Sequence, residues 1–225
     1  MTEAARRGRF RDRAEAGRRL AARLARYASA RPLIVALPRG GVVVGFEISR
    51  ALDAPLDVLV ARKLGAPSQP EFGVGAIAPG NVRIVDPRAV SFTGMTDEDL
   101  ERVIRKERAE MRRRERLYRA DRPALDLTDR TVILVDDGIA TGVTSRAAVM
   151  ALRALGAQRV VLAVGVCSHE AAAAIRAAVD ELVALIISDE LAAVGLYYDD
   201  FRQVTDDEVI DLLARSRESS TIASF

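Results

Sequence analysis

The sequence predicts an α/β fold in three layers: a mostly parallel central sheet with helices on both faces, plus a lid or hood. Three observations lead there. Short apolar runs suited to buried strands recur at 33–37, 56–60, 131–135, 159–166 and 181–187. Helical stretches at 42–52, 143–155 and 168–178 separate them, and that alternation joins neighbouring strands through crossover helices. The chain has 225 residues, 49% of them hydrophobic, which suits a single domain with a real core over 1–225.

The elements follow in order. Residues 12–28 read as an amphipathic helix, with Leu20, Leu24 and Tyr27 on one face, and Pro32 breaks the chain. The strand LIVAL at 33–37 leads into the turn Pro38-Arg39-Gly40-Gly41 and then the helix 42–52. A second strand at 56–60 ends near Arg62 and Lys63. Gly, Pro and Ser are frequent over 64–95, where a hairpin of 73–78 and 82–85 turns through Pro79-Gly80-Asn81. A charged helix, 97–119, starts at a cap on Thr96 or Asp97. Its apolar stripe is Leu100, Val103, Ile104, Met111 and Tyr118, and Glu101/Arg105, Glu110/Arg114 and Glu115/Arg119 have i,i+4 spacing. Residues 64–122 together are expected to form a lid or insertion. After the strand at 131–135 and the helices and strands named above, 194–198 reads as a last short strand and 206–214 as a closing helix begun by Asp206.

Composition narrows the function. Net charge is +2, with 34 basic residues nearly balanced by 32 acidic ones, so nothing pulls toward nucleic acid or membrane. The arginine run at 112–116 is interleaved with acids, as on a solvated helix rather than a nucleic-acid face. One cysteine, Cys167, leaves no disulfide framework and suits a reducing, cytoplasmic setting. No apolar run approaches the roughly 20 residues of a membrane span. The N-terminal arginines have no apolar segment behind them, and Glu3, Asp12 and Glu15 fit poorly with a transit peptide. One Cys and one His, Cys167 and His169, make neither a zinc site nor a nucleophile pair. Arginine is the default cation; the only lysines are Lys63 and Lys106.

The chemistry concentrates in VILVDDGIATGVT, residues 132–144. A buried strand, Val132 to Val135, delivers Asp136 and Asp137 to its carboxyl end, where open α/β sheets bind ligands. Gly138 to Gly142 make a flexible loop, and Val143 and Thr144 open a helix. Glycine N–H groups with a helix N-terminus form an anion cradle, to which Thr141 and Thr144 add hydroxyl donors. Two carboxylates beside a phosphate cradle make sense for a sugar phosphate, its diol on the acids and its phosphate further along.

This segment resembles the 13-residue signature of the type I phosphoribosyltransferases. The resemblance implies that family's three-layer fold and its substrate, phosphoribosyl pyrophosphate (PRPP), carried with Mg2+. It implies that Asp136 and Asp137 hold the ribose hydroxyls and that Gly138, Ile139, Ala140, Thr141, Gly142, Val143 and Thr144 surround the 5-phosphate. Arg39, Gly40 and Gly41 stand where the family has a pyrophosphate loop, and Arg62 and Lys63 where a basic residue often meets pyrophosphate. Asp136, Asp137, Arg39 and Lys63 are the expected catalytic groups. Ala140 replaces the aspartate of 6-oxopurine enzymes, which argues against hypoxanthine or guanine as acceptor. The segment 190–203 is the expected hood, with Tyr197, Tyr198 or Phe201 stacking on the base. The implied activity is transfer of 5-phosphoribose to a nitrogenous base by a homo-oligomeric enzyme of nucleotide metabolism; a PRPP- or nucleotide-binding regulator without turnover is the second class. PRPP synthesis would need two such domains, and a dinucleotide oxidoreductase a GxGxxG turn, which the sequence lacks.

Overall fold

The structure is a computed structural model; it describes residues 8–120, 122 and 125–222. The expected acid at Glu3 and the position Asp121 lie outside the described residues.

The first helix, α1 (Arg13–Leu24), is capped by the Asp12 side chain, which accepts from the Glu15 N–H at 2.7 Å. The α-helix is shorter than the sequence suggests. Residues Ala25–Ala30 tighten into a 3₁₀ turn, because Arg31 precedes Pro32 and leaves helical space (φ 45°). Strand β1 (Leu33–Ala36), helix α2 (Gly40–Leu52) and strand β2 (Leu56–Val58) follow. Then come β3 (Arg62–Ala66), β4 (Gln69–Ala78), β5 (Val82–Val85), α3 (Pro87–Thr93) and α4 (Asp97–Arg119). The chain closes with β6 (Thr131–Ile139), α5 (Val143–Ala154), β7 (Arg159–Ser168), α6 (His169–Arg176), β8 (Glu181–Ser188) and α7 (Asp206–Ile222).

The main sheet has five strands in the order β2-β1-β6-β7-β8, all parallel, with Ile34 opposite Ile133, Val135 opposite Ala163 and Ala163 opposite Val183. Period-two alternation sorts its side chains into two layers. Ile34, Ala36, Ile133, Val135, Val161 and Ala163 pack beneath α1, α2 and α7. Leu33, Val35, Val132, Leu134, Leu162 and Val164 pack against α5 and α6. Helices on both faces bury the central strands completely, so those strands read as unbroken apolar runs.

The region after β2 is a second sheet, β3-β4-β5, antiparallel, with its turn at Gly80 and Asn81, both at positive φ. Ala76 and Ala78 pack toward α5, while Leu64, Ala66, Val74 and Ile77 join Leu100, Ile104 and Met111 of α4. Arg62 and Lys63 therefore open this sheet instead of ending the second parallel strand. Two expected helix pairs are also replaced. Glu101 binds Arg83 at 2.7 Å, and Arg119 binds Asp57 at 3.1 Å, because partners from the neighbouring sheets compete with the i,i+4 positions; Glu110 keeps Arg114 at 2.7 Å. The segment expected as a last strand is a 3₁₀ turn, Val194–Tyr197. No helix among the described residues is long and apolar enough to cross a membrane.

Candidate functional site

Strand β6 is four residues longer than its apolar run. Its ladder to β7 continues through Asp136, Gly138 and Ile139, opposite Val164, Val166 and Cys167. Asp136 and Asp137 therefore stand on regular strand at the carboxyl end of the central strand, and only Ala140, Thr141 and Gly142 form the loop. Gly142 sits at φ 76°, a conformation that favours glycine, and its carbonyl accepts from the Arg146 N–H at 2.9 Å as α5 begins. The first-turn N–H groups of α5 have no helical partner and point toward the loop. Thr141 is exposed and Thr144 half-buried.

The turn after β1 folds directly against these acids. Leu37 N–H donates to the Val135 carbonyl at 2.9 Å, which fixes the turn beside β6. A Cβ on Gly40 would strike the Asp137 carboxylate, coming within 2.7 Å of its Cγ and 2.8 Å of Arg13 Nε. A Cβ on Gly41 would come within 2.7 Å of the Val135 carbonyl oxygen and 3.1 Å of Asp136 Cα. These two glycines are required by close approach. The Pro38–Arg39 peptide bond is cis.

Arg13 is a site residue that the sequence reading missed. Its Nε donates to Asp137 Oδ2 at 2.7 Å and its Nη1 to the Arg202 carbonyl at 2.9 Å. Its guanidinium lies 3.8 Å from the centroid of the Phe201 ring. Only 10% of the Arg13 side chain and 14% of that of Asp137 is exposed, so the pair is poorly screened. Tyr198 completes the brace: its hydroxyl donates to the Asp137 carbonyl at 2.6 Å. Burial, and next the Asp137 charge, push the Tyr198 phenol up, so it stays a donor. Asp136 accepts from the Asp137 N–H at 2.9 Å. Burial, and then the charge of Asp137, hold the Asp136 carboxyl well above the usual carboxylate range.

The other expected residues fall into three places. Arg39 is half-buried, with Nη1 3.7 Å from Asp206 Oδ1, which also accepts from the Tyr118 hydroxyl at 2.5 Å. Arg62 pairs with Glu107 at 2.7 Å and, with Lys63 and Lys106, lines a groove of about 400 Å³ between β3 and α4. The structure thus brings Gly40 and Gly41 onto Asp137 and Asp136, turns Arg39 to Asp206, and leaves Arg62 and Lys63 in the groove between β3 and α4. Tyr198 is buried between Phe10 and Phe201, at ring distances of 5.0 Å each, and Phe201 lies against Arg13. Tyr197 is half-buried, its hydroxyl 2.5 Å from Ser188 Oγ. Cys167 is buried, and burial pushes its thiol up.

The family model "Phosphoribosyl transferase domain" matches residues 10–200. A Mycobacterium tuberculosis protein provisionally named a phosphoribosyl transferase, in strains H37Rv and CDC 1551, is 44% identical over 207 residues, 92% of this chain and 47% of the relative. The chain thus spans about half the length of the curated relatives it matches. A Thermus thermophilus protein of known crystal structure, TT1426, is 43% identical with a TM-score of 0.76, over 92% of this chain and 98% of that one.

Proposed function

The chain belongs to the phosphoribosyl transferase domain family, and from that premise we propose that it transfers 5-phosphoribose from magnesium-bound PRPP to a nitrogenous base, releasing pyrophosphate. One observation carries the reading. Gly40 and Gly41 press against Asp137 and Asp136, which supports a reading with a diphosphate cradle next to a sugar-holding acid pair.

The cleft divides the substrate. The carboxylates of Asp136 and Asp137 hold the ribose 2- and 3-hydroxyls. The loop 140–142 and the first turn of α5 take the 5-phosphate, as helix N-termini do. Arg39 and the N–H groups at Gly40 and Gly41 take the diphosphate, Arg39 exchanging its loose contact with Asp206 for a charge-assisted one. As the bond from C1′ to the diphosphate oxygen lengthens, positive charge spreads over the sugar. The Asp137 carboxylate favours it. Magnesium carried with the substrate would supply charge neutralisation to the diphosphate that Arg39 and the turn N–H groups hold. Arg62 and Lys63 reach that diphosphate when the β3–β5 unit moves inward as a lid. Tyr198 and Phe201 brace Asp137 from behind, which leaves Tyr197 as the aromatic on the hood side.

The test is pyrophosphate release from magnesium PRPP against a panel of free bases, together with calorimetric PRPP binding. The reading expects release with at least one base, and no PRPP binding by a folded Asp136→Asn/Asp137→Asn variant. Unchanged affinity in that variant would remove the ribose assignment. Tight PRPP binding without release across the panel would make the protein a regulator instead.

A further inference from the structure

The only histidine of the chain stands at the same carboxyl end of the sheet as Asp136 and Asp137, one strand further from the diphosphate turn, and its side chain is 59% exposed. His169 opens α6 directly after β7, and Asp189 follows directly after β8. Ser168 and Ser188 are register partners, so the next residue on each strand, His169 and Asp189, comes off the sheet side by side. Their side chains meet: His169 Nδ1 lies 2.6 Å from Asp189 Oδ1. In the neutral imidazole this contact favours the proton on Nδ1 and leaves Nε2 as an acceptor.

The pair is tied to the phosphate loop. Ser168 Oγ donates to the Ala140 carbonyl at 2.7 Å, and a Cβ on Gly142 would be 3.5 Å from Ala171 Cβ. The first turn of α6 therefore packs on the loop that follows Asp137.

Strand order then fixes sides. The diphosphate turn follows β1, the acids end β6, and β7 and β8 come next, each about 5 Å further across the sheet. If the leaving group departs toward β1 and the sugar sits over β6, a nucleophile attacking C1′ from the opposite face approaches over β7 and β8. His169 and Asp189 stand there. Ala140, the neighbouring loop residue, has no group able to take a proton.

We infer that His169, oriented by Asp189, is the acceptor-side general base. It would receive the proton of a nitrogen nucleophile bearing an N–H. This rests on the transferase reading above. In the step, the bond from nitrogen to C1′ forms and the bond from C1′ to the diphosphate oxygen breaks. The electron pair leaves on pyrophosphate, and the N–H proton goes to Nε2. Asp189 keeps its charge and stabilises the imidazolium, as in other carboxylate–imidazole pairs. The other charged groups next to the pair in sequence are Glu170 on α6 and Glu190 beyond Asp189. The acceptor class is a heterocycle with an ionisable ring N–H.

A lone histidine allows a direct test by nitrogen-15 NMR of the intact protein. The protein is saturated with ribose 5-phosphate, and adenine, guanine, hypoxanthine and uracil are added in turn. The inference expects at least one base to shift the imidazole signals, with Nδ1 protonated and Nε2 unprotonated in that complex. It expects Asp189→Asn to lose this tautomer bias. No response to any base in sugar-loaded protein, or a protonated Nε2 in the base complex, overturns it, as does a tautomer unmoved by Asp189→Asn. Failure of ribose 5-phosphate to bind at all would instead strike the transferase reading beneath it.

Discussion

Replacing Arg13 by methionine removes a charge that Asp137 depends on while keeping much of the side-chain volume. Arg13 and Asp137 meet at 2.7 Å with only 10% and 14% of their side chains exposed. Breaking one partner of such a pair leaves a poorly solvated carboxylate, at a typical cost of about 3–5 kcal/mol. Asp136, whose carboxyl is held well above the usual range, can share a proton with the stranded carboxylate, which softens the loss. The lower end, about 3 kcal/mol, is the expectation, because Asp137 keeps some water contact. At roughly 2–4 °C per kcal/mol for a chain of this size, the midpoint should fall by about 6–12 °C. Asp137→Asn should cost less, since Arg13 keeps the Arg202 carbonyl and the Phe201 ring. The assay is a double-mutant cycle by urea unfolding. The double variant should be more stable than the sum of the single losses implies, with a coupling above about 1 kcal/mol. Additivity within about 0.5 kcal/mol would refute the idea that Arg13 acts on the fold through Asp137.

Two further predictions concern the same cleft. Asp136 has a folded-state carboxyl raised above its unfolded value, so its contribution is fully present below the unfolded value and is lost as pH rises through the folded one. Asp136→Asn removes that loss; thermal melts of ligand-free protein should show the variant more stable than the parent near pH 7, with the gap closing as pH falls, and a constant gap would contradict the burial argument. Gly40→Ala places a methyl on the Asp137 carboxylate, and denaturant titration should show a loss of about 1–3 kcal/mol with weakened PRPP binding by calorimetry; an unaltered protein would mean the turn does not press on the acid.

Legibility followed the length scale of each interaction. The segment 132–144 could be read because its strand, acids, loop and helix start are consecutive in the chain. The parallel sheet was legible from apolar runs that only two-sided burial explains. The end of β6 was not, because Asp136 to Ile139 are strand only through pairing with Val164 to Cys167. Arg13 reaches Asp137 across 124 residues, and nothing near Arg13 distinguishes it from the other arginines of its helix. Asp57, by contrast, carried a usable signal: an acid inside an apolar strand needs a buried partner, and it takes both Arg119 at 3.1 Å and Arg122 at 2.9 Å. That demand is also why Arg119 leaves Glu115. The hood resemblance puts Tyr198 among the stacking candidates, and no local pattern signals the bond its hydroxyl makes to the Asp137 carbonyl.

The most direct measurement is a crystal structure with ribose 5-phosphate bound. The account expects the phosphate against residues 140–144 and the 2- and 3-hydroxyls within hydrogen-bond distance of Asp136 and Asp137. A sugar phosphate bound elsewhere, with that loop empty at saturating ligand, would contradict it.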